Sequence, residues 1–175
     1  MVKKSNQKPI YSEIHFDIGK CLLGRVLVAQ NSQGICSILL GENSDKLTQE
    51  LQNSFPSITL TKSKSKLKNA LSKIIQHIDY QRVDLDLKLD VSGTEFQQRV
   101  WNAIRKIPSG STASYAEIAH KIGSPNSTRA VANACASNVL AVAIPCHRVV
   151  RSNGELSGYR WGLERKRQLL KNERI

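Results

Sequence analysis

The sequence predicts an α+β protein made of two parts. In the first half of the chain, apolar runs typical of strands are interspersed with helical stripes of apolar residues. In the second half, paired capping signals predict mainly helices. The pattern changes at Ser92-Gly93, which predicts two domains over residues 1–91 and 92–175.

Four segments of the first half show patterns typical of strands, and two of them form a predicted hairpin. Apolar and polar residues alternate weakly over residues 10–16. Two apolar runs, 22–29 and 35–40, flank the polar residues 31–34 (NSQG), which predicts a β-hairpin. Residues 83–91 alternate strictly between apolar and charged side chains and predict a strand with one buried face.

Two helices are predicted between these strands. Ser44 is expected to cap a helix whose apolar residues recur every four positions and which Pro56 closes. A lysine-rich stretch then leads into a second apolar stripe over residues 67–78. We interpret these lysines as a solvated helix face, with contact to phosphate groups as the alternative.

The second half opens with two capping boxes, Thr-x-x-Gln at 94–97 and Ser-x-x-Glu at 114–117. The helix that follows the second box stops at Gly123, and another helix is predicted over residues 127–136. Two short helices joined by a turn with glycine are typical of a helix-turn-helix, although an ordinary helix pair gives the same pattern.

The helix over 127–136 is rich in alanine, and Arg129 is its only long cation. Such small side chains allow either close approach to another surface or tight packing in the core. Residues 139–144 form an apolar run that predicts a buried strand, and Asn153-Gly154 marks a turn. A final helix is predicted over residues 162–173, and the loop before it is typical of a wing.

The chain is strongly basic. Lys and Arg number 26 against 14 Asp and Glu, which gives a net charge of +12 and a pI near 9.8. Such a charge favours a polyanionic partner, most commonly nucleic acid, over a merely soluble cationic surface. No apolar run approaches the roughly 20 residues of a membrane helix, and no secretory signal is visible, so we expect a cytoplasmic protein with no membrane partner.

The cysteines and histidines show no metal-binding pattern. The sequence has no C-x-x-C pair and no paired histidine ligands, so we expect neither a metal nor a cofactor. Disulfides are not expected in a reducing compartment, which leaves each cysteine as core filler or as a reactive thiol. The four cysteines are Cys21, Cys36, Cys135 and Cys146.

Cys146 differs from the other cysteines because it follows a proline and precedes His147 and Arg148. Cationic or basic neighbours raise the thiolate fraction of a cysteine. In an extended segment, however, adjacent side chains point to opposite faces. Contact between Cys146 and His147 would therefore need a turn or a bridging water.

Residues 144–150 (IPCHRVV) resemble the active-site signature of the O6-alkylguanine-DNA alkyltransferases. The match extends over residues 92–175, while the hairpin 34–41 and residues 158–162 (GYRWG) resemble the alkyltransferase half of Ada-type proteins. The resemblance implies a ribonuclease H-like first domain packed on a winged-helix second domain. The flanking residues in the family's order are Ser114, Tyr115, Arg129, Ala130, Val131, Asn138, Ser157, Gly158, Tyr159 and Glu173.

The resemblance also implies a set of catalytic roles. Cys146 would accept the alkyl group irreversibly, in a single turnover. Its proton would leave through a water to His147, which Glu173 orients. Asn138 would tie the helix-turn-helix to the active-site loop, and Tyr115 would neutralise the leaving guanine and crowd the target phosphate.

Further residues would bind DNA and the flipped base. Arg129 would fill the space that the extruded nucleotide leaves, while Ser124 and Ser152 would hold phosphates. The backbone carbonyls of Cys146 and Val149 would read the guanine amino group. Trp161 is expected to restrict large alkyl groups, and Cys135 is interpreted as a packing residue on the pocket side. The expected substrate-pocket residues are Val149, Tyr159, Arg160, Trp161 and Cys135.

The implied function is direct repair of O6-methylguanine in double-stranded DNA, by base flipping from the minor groove, with O4-methylthymine as an additional expected substrate. We expect a monomer without an obligate protein partner. Some family members hold zinc in the first domain, but the ligand pattern is not recognisable here. Ada-type proteins carry a further upstream zinc-binding half that this sequence lacks, so the chain is expected to be a stand-alone repair protein or a fragment.

Two other functions remain as alternatives. A winged-helix DNA binder without chemistry, either a regulator or a lesion sensor, would not need the thiol of Cys146. A cysteine hydrolase would need a base from a histidine distant in sequence, and no histidine follows His147.

Overall fold

The computed structural model describes residues 12–80 and 85–173. Its first domain is built on a four-stranded sheet in the order β3-β2-β1-β4, in which β1 pairs antiparallel with β2, β2 antiparallel with β3, and β1 parallel with β4. The predicted hairpin over the NSQG turn is confirmed as β2 and β3. The strands are β1 (Glu13–Cys21), β2 (Gly24–Gln30), β3 (Ile35–Gly41) and β4 (Thr59–Lys62).

Two helices of this domain pack on the sheet, α1 (Ser44–Ser54) and α2 (Lys64–Tyr80), as the apolar stripes predict. The predicted cap of α1 was wrong by one residue. The side chain of Asn43 accepts hydrogen bonds from the backbone amides of Asp45 and Lys46 and is therefore the N-cap. Ser44 is the first helical residue.

The strands differ from the expectation in two places, at the β1–β2 turn and at the edge strand β4. β1 continues to Cys21, so Leu22 and Leu23 form the turn into β2 and do not start a strand. Leu22 is exposed because it lies at the tip of this turn. β4 was not predicted, although Thr59, Leu60 and Thr61 carry its weak signal. Residues 10 and 11 of the first predicted strand lie outside the described residues.

The predicted strand over residues 83–91 is wrong for its described part, 85–91, which is not a strand. The backbone of Ile35 accepts from Asp90 N and donates to Lys88 O, both at 2.8 Å, and this forms a single bridge to the edge of β3. The segment then leaves the sheet toward the second domain, so no ladder can develop. Residues 83 and 84 lie outside the described part.

The second domain is helical, as predicted. Both capping boxes are confirmed at the starts of α3 and α4, and Gly123, with φ +70°, makes the turn between α4 and α5. A short parallel pair joins β5 (Ala113–Ser114) to β6 (Val149–Val150). The helices are α3 (Glu95–Arg105), α4 (Tyr115–Lys121), α5 (Thr128–Ala136) and α6 (Leu163–Glu173).

The predicted strand over residues 139–144 is also wrong. Val139 O accepts from Ile38 N at 2.8 Å and Ala141 N donates to Ile38 O at 3.0 Å, after which the chain turns through Val142 at φ +61°. This run is buried because it packs at the junction of the two domains, not because it lies within a sheet. The wing is a loop without a second strand, closed by the turn at 151–155.

The helices show no sign of a membrane segment. Within the described ranges, none is both long enough and apolar enough to cross a bilayer. The apolar core is continuous across the two domains and includes residues of the sheet, of α3 and α5, and of the loop that carries Cys146. The packing of the sheet edge on this loop therefore helps to fix the position of the candidate site.

Candidate active site

Cys146 begins a 3₁₀ turn, Cys146–Arg148, and faces a cavity of about 680 Å³ between α5 and the wing. The Nδ2 group of Asn138 lies 3.3 Å from the Cys146 Sγ and donates to the Ile144 carbonyl at 2.9 Å. The Asn138 Oδ1 accepts from Leu140 N at 2.8 Å. Asn138 thereby holds the turn after α5 against the loop that carries the thiol.

The Cys146 thiol is protonated in the resting protein. Burial raises its pKa well above the usual range, and the adjacent Cys135 raises it further, while the Asn138 amide and the Lys166 charge lower it. The effect of burial is the largest of these. The thiol therefore needs a base before it can act as a nucleophile.

A buried chain of hydrogen bonds lies behind the thiol. His147 Nε2 is 2.7 Å from Glu173 Oε1, and Arg148 donates to the same carboxylate from Nε and Nη2 at 3.0–3.1 Å. Arg148 Nη1 also donates to the Ile107 carbonyl at 2.7 Å. Burial raises the pKa of Glu173, but the His147 and Arg148 hydrogen bonds outweigh it and hold this pKa at about 2.

These contacts define the state of His147. Burial lowers the pKa of His147 and the Glu173 carboxylate partly offsets the effect, so the ring is neutral at pH 7. Because ionised Glu173 only accepts hydrogen bonds, the ring hydrogen lies on Nε2 and the Nδ1 lone pair is free. Nδ1 is buried and has no partner among the described residues. This nitrogen is the atom of His147 that can receive a proton.

The cavity brings together predicted residues from α4, α5 and the wing loop. Tyr115 lies at its edge, where its hydroxyl accepts from Ser157 Oγ at 2.9 Å. Burial raises the pKa of Tyr115, so its phenol stays protonated at neutral pH. No group of three or more His, Cys, Asp or Glu in the described ranges could hold a metal ion. The predicted residues that line the cavity are Tyr115, Arg129, Cys135, Cys146, Tyr159 and Arg160.

Four of the residues predicted to bind DNA or to line the pocket lie outside this lining. Val149 is fully buried, and Trp161 packs behind Tyr159 with the ring centroids 5.2 Å apart, so the side chains of both support the wall from behind. Ser124 lies near Arg99, 3.5 Å from its Nη2, and Ser152 is exposed on the wing turn. The structure therefore places both serines on the surface, away from the cavity.

Two residues of the site were missed by the sequence reasoning. Arg148 is part of the IPCHRVV motif, yet its pairing with Glu173 was not anticipated. Lys166 is fully buried and donates to the carbonyls of Val149 and Ser157 at 2.6 and 3.0 Å. Burial lowers the pKa of Lys166 to about 8. In the sequence it lies among other charged residues of α6 and resembles a solvent-exposed lysine.

Family models match both domains: 6-O-methylguanine DNA methyltransferase, ribonuclease-like domain, over residues 14–91, and 6-O-methylguanine DNA methyltransferase, DNA binding domain, over residues 95–175. The inducible methylated-DNA–protein-cysteine methyltransferase of Bacillus subtilis is 34% identical over 165 residues, covering 94% of this chain and 87% of the relative. The chain belongs to the 6-O-methylguanine DNA methyltransferase family. This confirms the resemblance, the α+β class and the ribonuclease-like first domain.

Other members of the family are similar in sequence or in structure. The bifunctional transcriptional activator/DNA repair enzyme Ada of Escherichia coli is 48% identical over 91% of this chain, but only 45% of that relative is covered. The chain thus spans about half the length of the Ada relatives that it matches. The O6-methylguanine methyltransferase of Mycobacterium tuberculosis has a TM-score of 0.77 at 32% identity, covering 92% and 93% of the two chains. A structure of the M. tuberculosis protein with DNA has a TM-score of 0.75 at 31% identity, covering 93% and 92%.

Proposed function

We propose that this chain repairs O6-methylguanine in double-stranded DNA by transferring the methyl group to its own Cys146. One observation carries the proposal: Cys146 faces a cavity of about 680 Å³, and the His147–Glu173 pair lies behind it. The volume falls within the range of small-molecule sites and suits a purine base. Family membership supports the same reaction, because the relatives are named for it.

The thiol is activated through His147. Glu173 fixes the ring hydrogen on Nε2, so that Nδ1 can take the Cys146 proton through one bridging water. The 3₁₀ turn does not produce a direct hydrogen bond between Cys146 and His147, and a water spans this gap. A buried thiol that loses its proton only when the alkylated guanine is bound avoids the side reactions of a free thiolate.

The methyl carbon then moves from oxygen to sulfur. The Cys146 sulfur forms the new S–C bond while the C–O6 bond breaks, and the electron pair stays on the guanine. The Tyr115 hydroxyl, which receives a hydrogen bond from Ser157, can direct its own hydrogen to the leaving base. His147 then releases the thiol proton to solvent and the guanine takes one proton up from solvent through the Tyr115 hydroxyl, so that in net one proton moves from sulfur to guanine and the sulfur becomes a thioether. A thioether does not return to a thiol under these conditions, so the protein acts once.

The DNA contacts come from the second domain. The alanine-rich helix α5 borders the cavity, and Arg129 projects from its exposed side, where it fits the space of an extruded nucleotide. Flipping a base out of the duplex costs about a few kcal/mol, and less for a poorly paired lesion. Ser124 and Ser152 would contact phosphates, and the small side chains of α5 would allow the close approach to the minor groove that the family resemblance implies. We further propose a cytoplasmic monomer with no obligate protein partner and domains over 1–91 and 92–175.

The test is the intact mass of the protein after incubation with duplex DNA that contains O6-methylguanine. Wild type should gain the mass of one methyl group, located on Cys146. The Cys146→Ala variant should bind the same DNA without any gain, and the Cys135→Ala control should still be methylated. An unmodified wild type that stays bound to DNA would indicate a lesion sensor or regulator instead. Turnover of a peptide or ester would indicate a hydrolase.

A further inference from the structure

One wall of the cavity is a loop without regular secondary structure between β6 and α6. In the middle of this loop, the Ser157 carbonyl accepts from Lys166 Nζ at 3.0 Å. At its end, the chain turns at Gly162, which has φ +98°. Arg160 lies between these two points and lines the cavity. The position of this wall therefore depends on what holds Arg160.

The guanidinium of Arg160 is bound by two other elements of the fold. Its Nη2 and Nε groups donate to Glu50 Oε1 at 2.9 and 3.3 Å, and Glu50 belongs to α1 of the first domain. Its Nη1 donates to the Ala136 carbonyl, at the end of α5, at 3.3 Å. The side chains of Arg160 and Glu50 are only 27% and 35% exposed, so water screens this pair incompletely.

The loop also connects Arg160 to the catalytic chain. The Trp161 ring lies 6.0 Å from the Arg160 guanidinium carbon, and the Tyr159 ring packs edge-on against both Trp161 and His147, with centroids 5.2 and 6.3 Å apart. Tyr159, Arg160 and Trp161 are consecutive and in contact through their rings and the guanidinium, so the partners that hold the Arg160 guanidinium also help to hold the Tyr159 ring in the wall.

We propose that Glu50 is a positioning residue that sets the width of the alkyl pocket by anchoring Arg160. The inference rests on the proposed function, since it takes this cavity as the site of the alkylated base. With Glu50 in place, the guanidinium of Arg160 is held between α1 and α5, and the wall of the cavity stays close to Cys146. Without the charge of the carboxylate, the guanidinium keeps the Ala136 carbonyl, the Trp161 ring and only a weaker hydrogen bond to a neutral amide at position 50, and the wall can move outward. A wider pocket accommodates longer alkyl chains.

The test compares O6-methylguanine with O6-ethylguanine in the same duplex, using the second-order rate constants of alkyl transfer. In Glu50→Gln, the ethyl-to-methyl ratio of these rate constants should rise by about three- to fivefold over wild type. An unchanged ratio would overturn the inference. Partial unfolding cannot imitate the expected result, because it lowers both rate constants by the same factor and leaves their ratio unchanged.

Two further variants define the contact. Glu42→Gln is the matched control, because Glu42 also pairs with an arginine of the second domain, Arg165, but outside the cavity lining. Its ratio should equal that of wild type. In an Arg160→Gln background, Glu50→Gln should change the ratio no further, and an additive change would contradict the anchoring role. Wild type that reacts with neither duplex would instead refute the proposed function, which keeps the two failures distinct.

Discussion

The carboxylate of Glu173 has more partners than an orienting role requires. It accepts from His147, from two nitrogens of Arg148 and from the backbone amide of Gly110 at 3.3 Å, and its side chain is fully buried. The arginine neutralises a charge that would otherwise be costly to bury, and the hydrogen bond with the carboxylate fixes the tautomer of His147. Arg148 would thus support the proposed relay from outside the cavity lining.

We therefore expect Glu173→Gln to lower the rate constant of methyl transfer by about a hundredfold, because a neutral amide neither fixes the His147 tautomer nor stabilises its protonated ring. The affinity for undamaged duplex should remain within about twofold of wild type, since Glu173 lies behind the site. Rapid-quench single-turnover kinetics and a DNA titration measure the two quantities. Glu164→Gln on the same helix is the control, and an equal rate in Glu173→Gln and wild type would rule out the relay.

Lys166 gives stability a specific dependence on pH. Its pKa is lowered by burial from 10.5 to about 8, so between these values the unfolded chain binds a proton that the folded chain has released. The contribution of Lys166 to the free energy of unfolding therefore rises as the pH increases from about 8 to 10. Urea unfolding should show this rise in wild type relative to Lys166→Met. Parallel pH profiles for the two proteins would contradict it.

At the scale of elements, local signals were sufficient for the helices and insufficient for several strands. The starts of α3 and α4 follow from capping boxes in which both partners lie within four residues. The run at 139–144 was buried by contact with Ile38, about a hundred residues earlier in the chain, and no local pattern shows such a contact. Strand pairing depends on distant segments, so β4 was missed for the same reason.

The candidate site could also be predicted only in part from the sequence. The family resemblance carried by the IPCHRVV motif grouped Cys146 with His147 and Glu173; the structure brings the His147 and Glu173 side chains to 2.7 Å, and the catalytic roles of the three residues stay predictions. The burial of Lys166 and the contact of Arg160 with Glu50 depend on the packing of α6 and α1 around the wing loop. Such contacts carry no sequence signature.

Helix α5 gives a prediction at this scale. Arg129 is exposed on α5, lines the cavity and is expected to occupy the gap in the base stack. Arg129→Ala should lower the rate of repair in duplex DNA by about ten- to a hundredfold, because the flipped state loses the side chain that stabilises it. Transfer from free O6-benzylguanine, which needs no flipping, should change by less than about twofold. Equal losses on the two substrates would contradict the role of Arg129.

At the scale of the whole molecule, the backbone at Gly34 packs closely on the segment that connects the two domains. A Cβ atom at this position would lie 2.5 Å from the Lys88 carbonyl oxygen, in the segment that leads to the second domain. Gly34→Ala should therefore lower the free energy of unfolding by about 2–3 kcal/mol. The control Gly154→Ala, with φ +81° but no atom within 4 Å of the new Cβ, should cost about 1 kcal/mol. Urea unfolding of both variants measures the difference, and equal losses would show that the contact at Gly34 is dispensable.

The net charge of +12 affects the two kinds of substrate differently. Binding to duplex DNA releases counterions from each phosphate that a Lys or Arg neutralises, so contact with about six phosphates would weaken binding about a thousandfold between about 50 and 200 mM salt. A free O6-alkylguanine base is uncharged, so its binding releases no counterions. The rate of transfer from O6-benzylguanine should therefore change by less than about twofold over the same range. Measuring both in one salt series separates recognition of the DNA backbone from chemistry at Cys146. A DNA affinity that does not depend on salt would mean that the excess of basic residues has no part in binding.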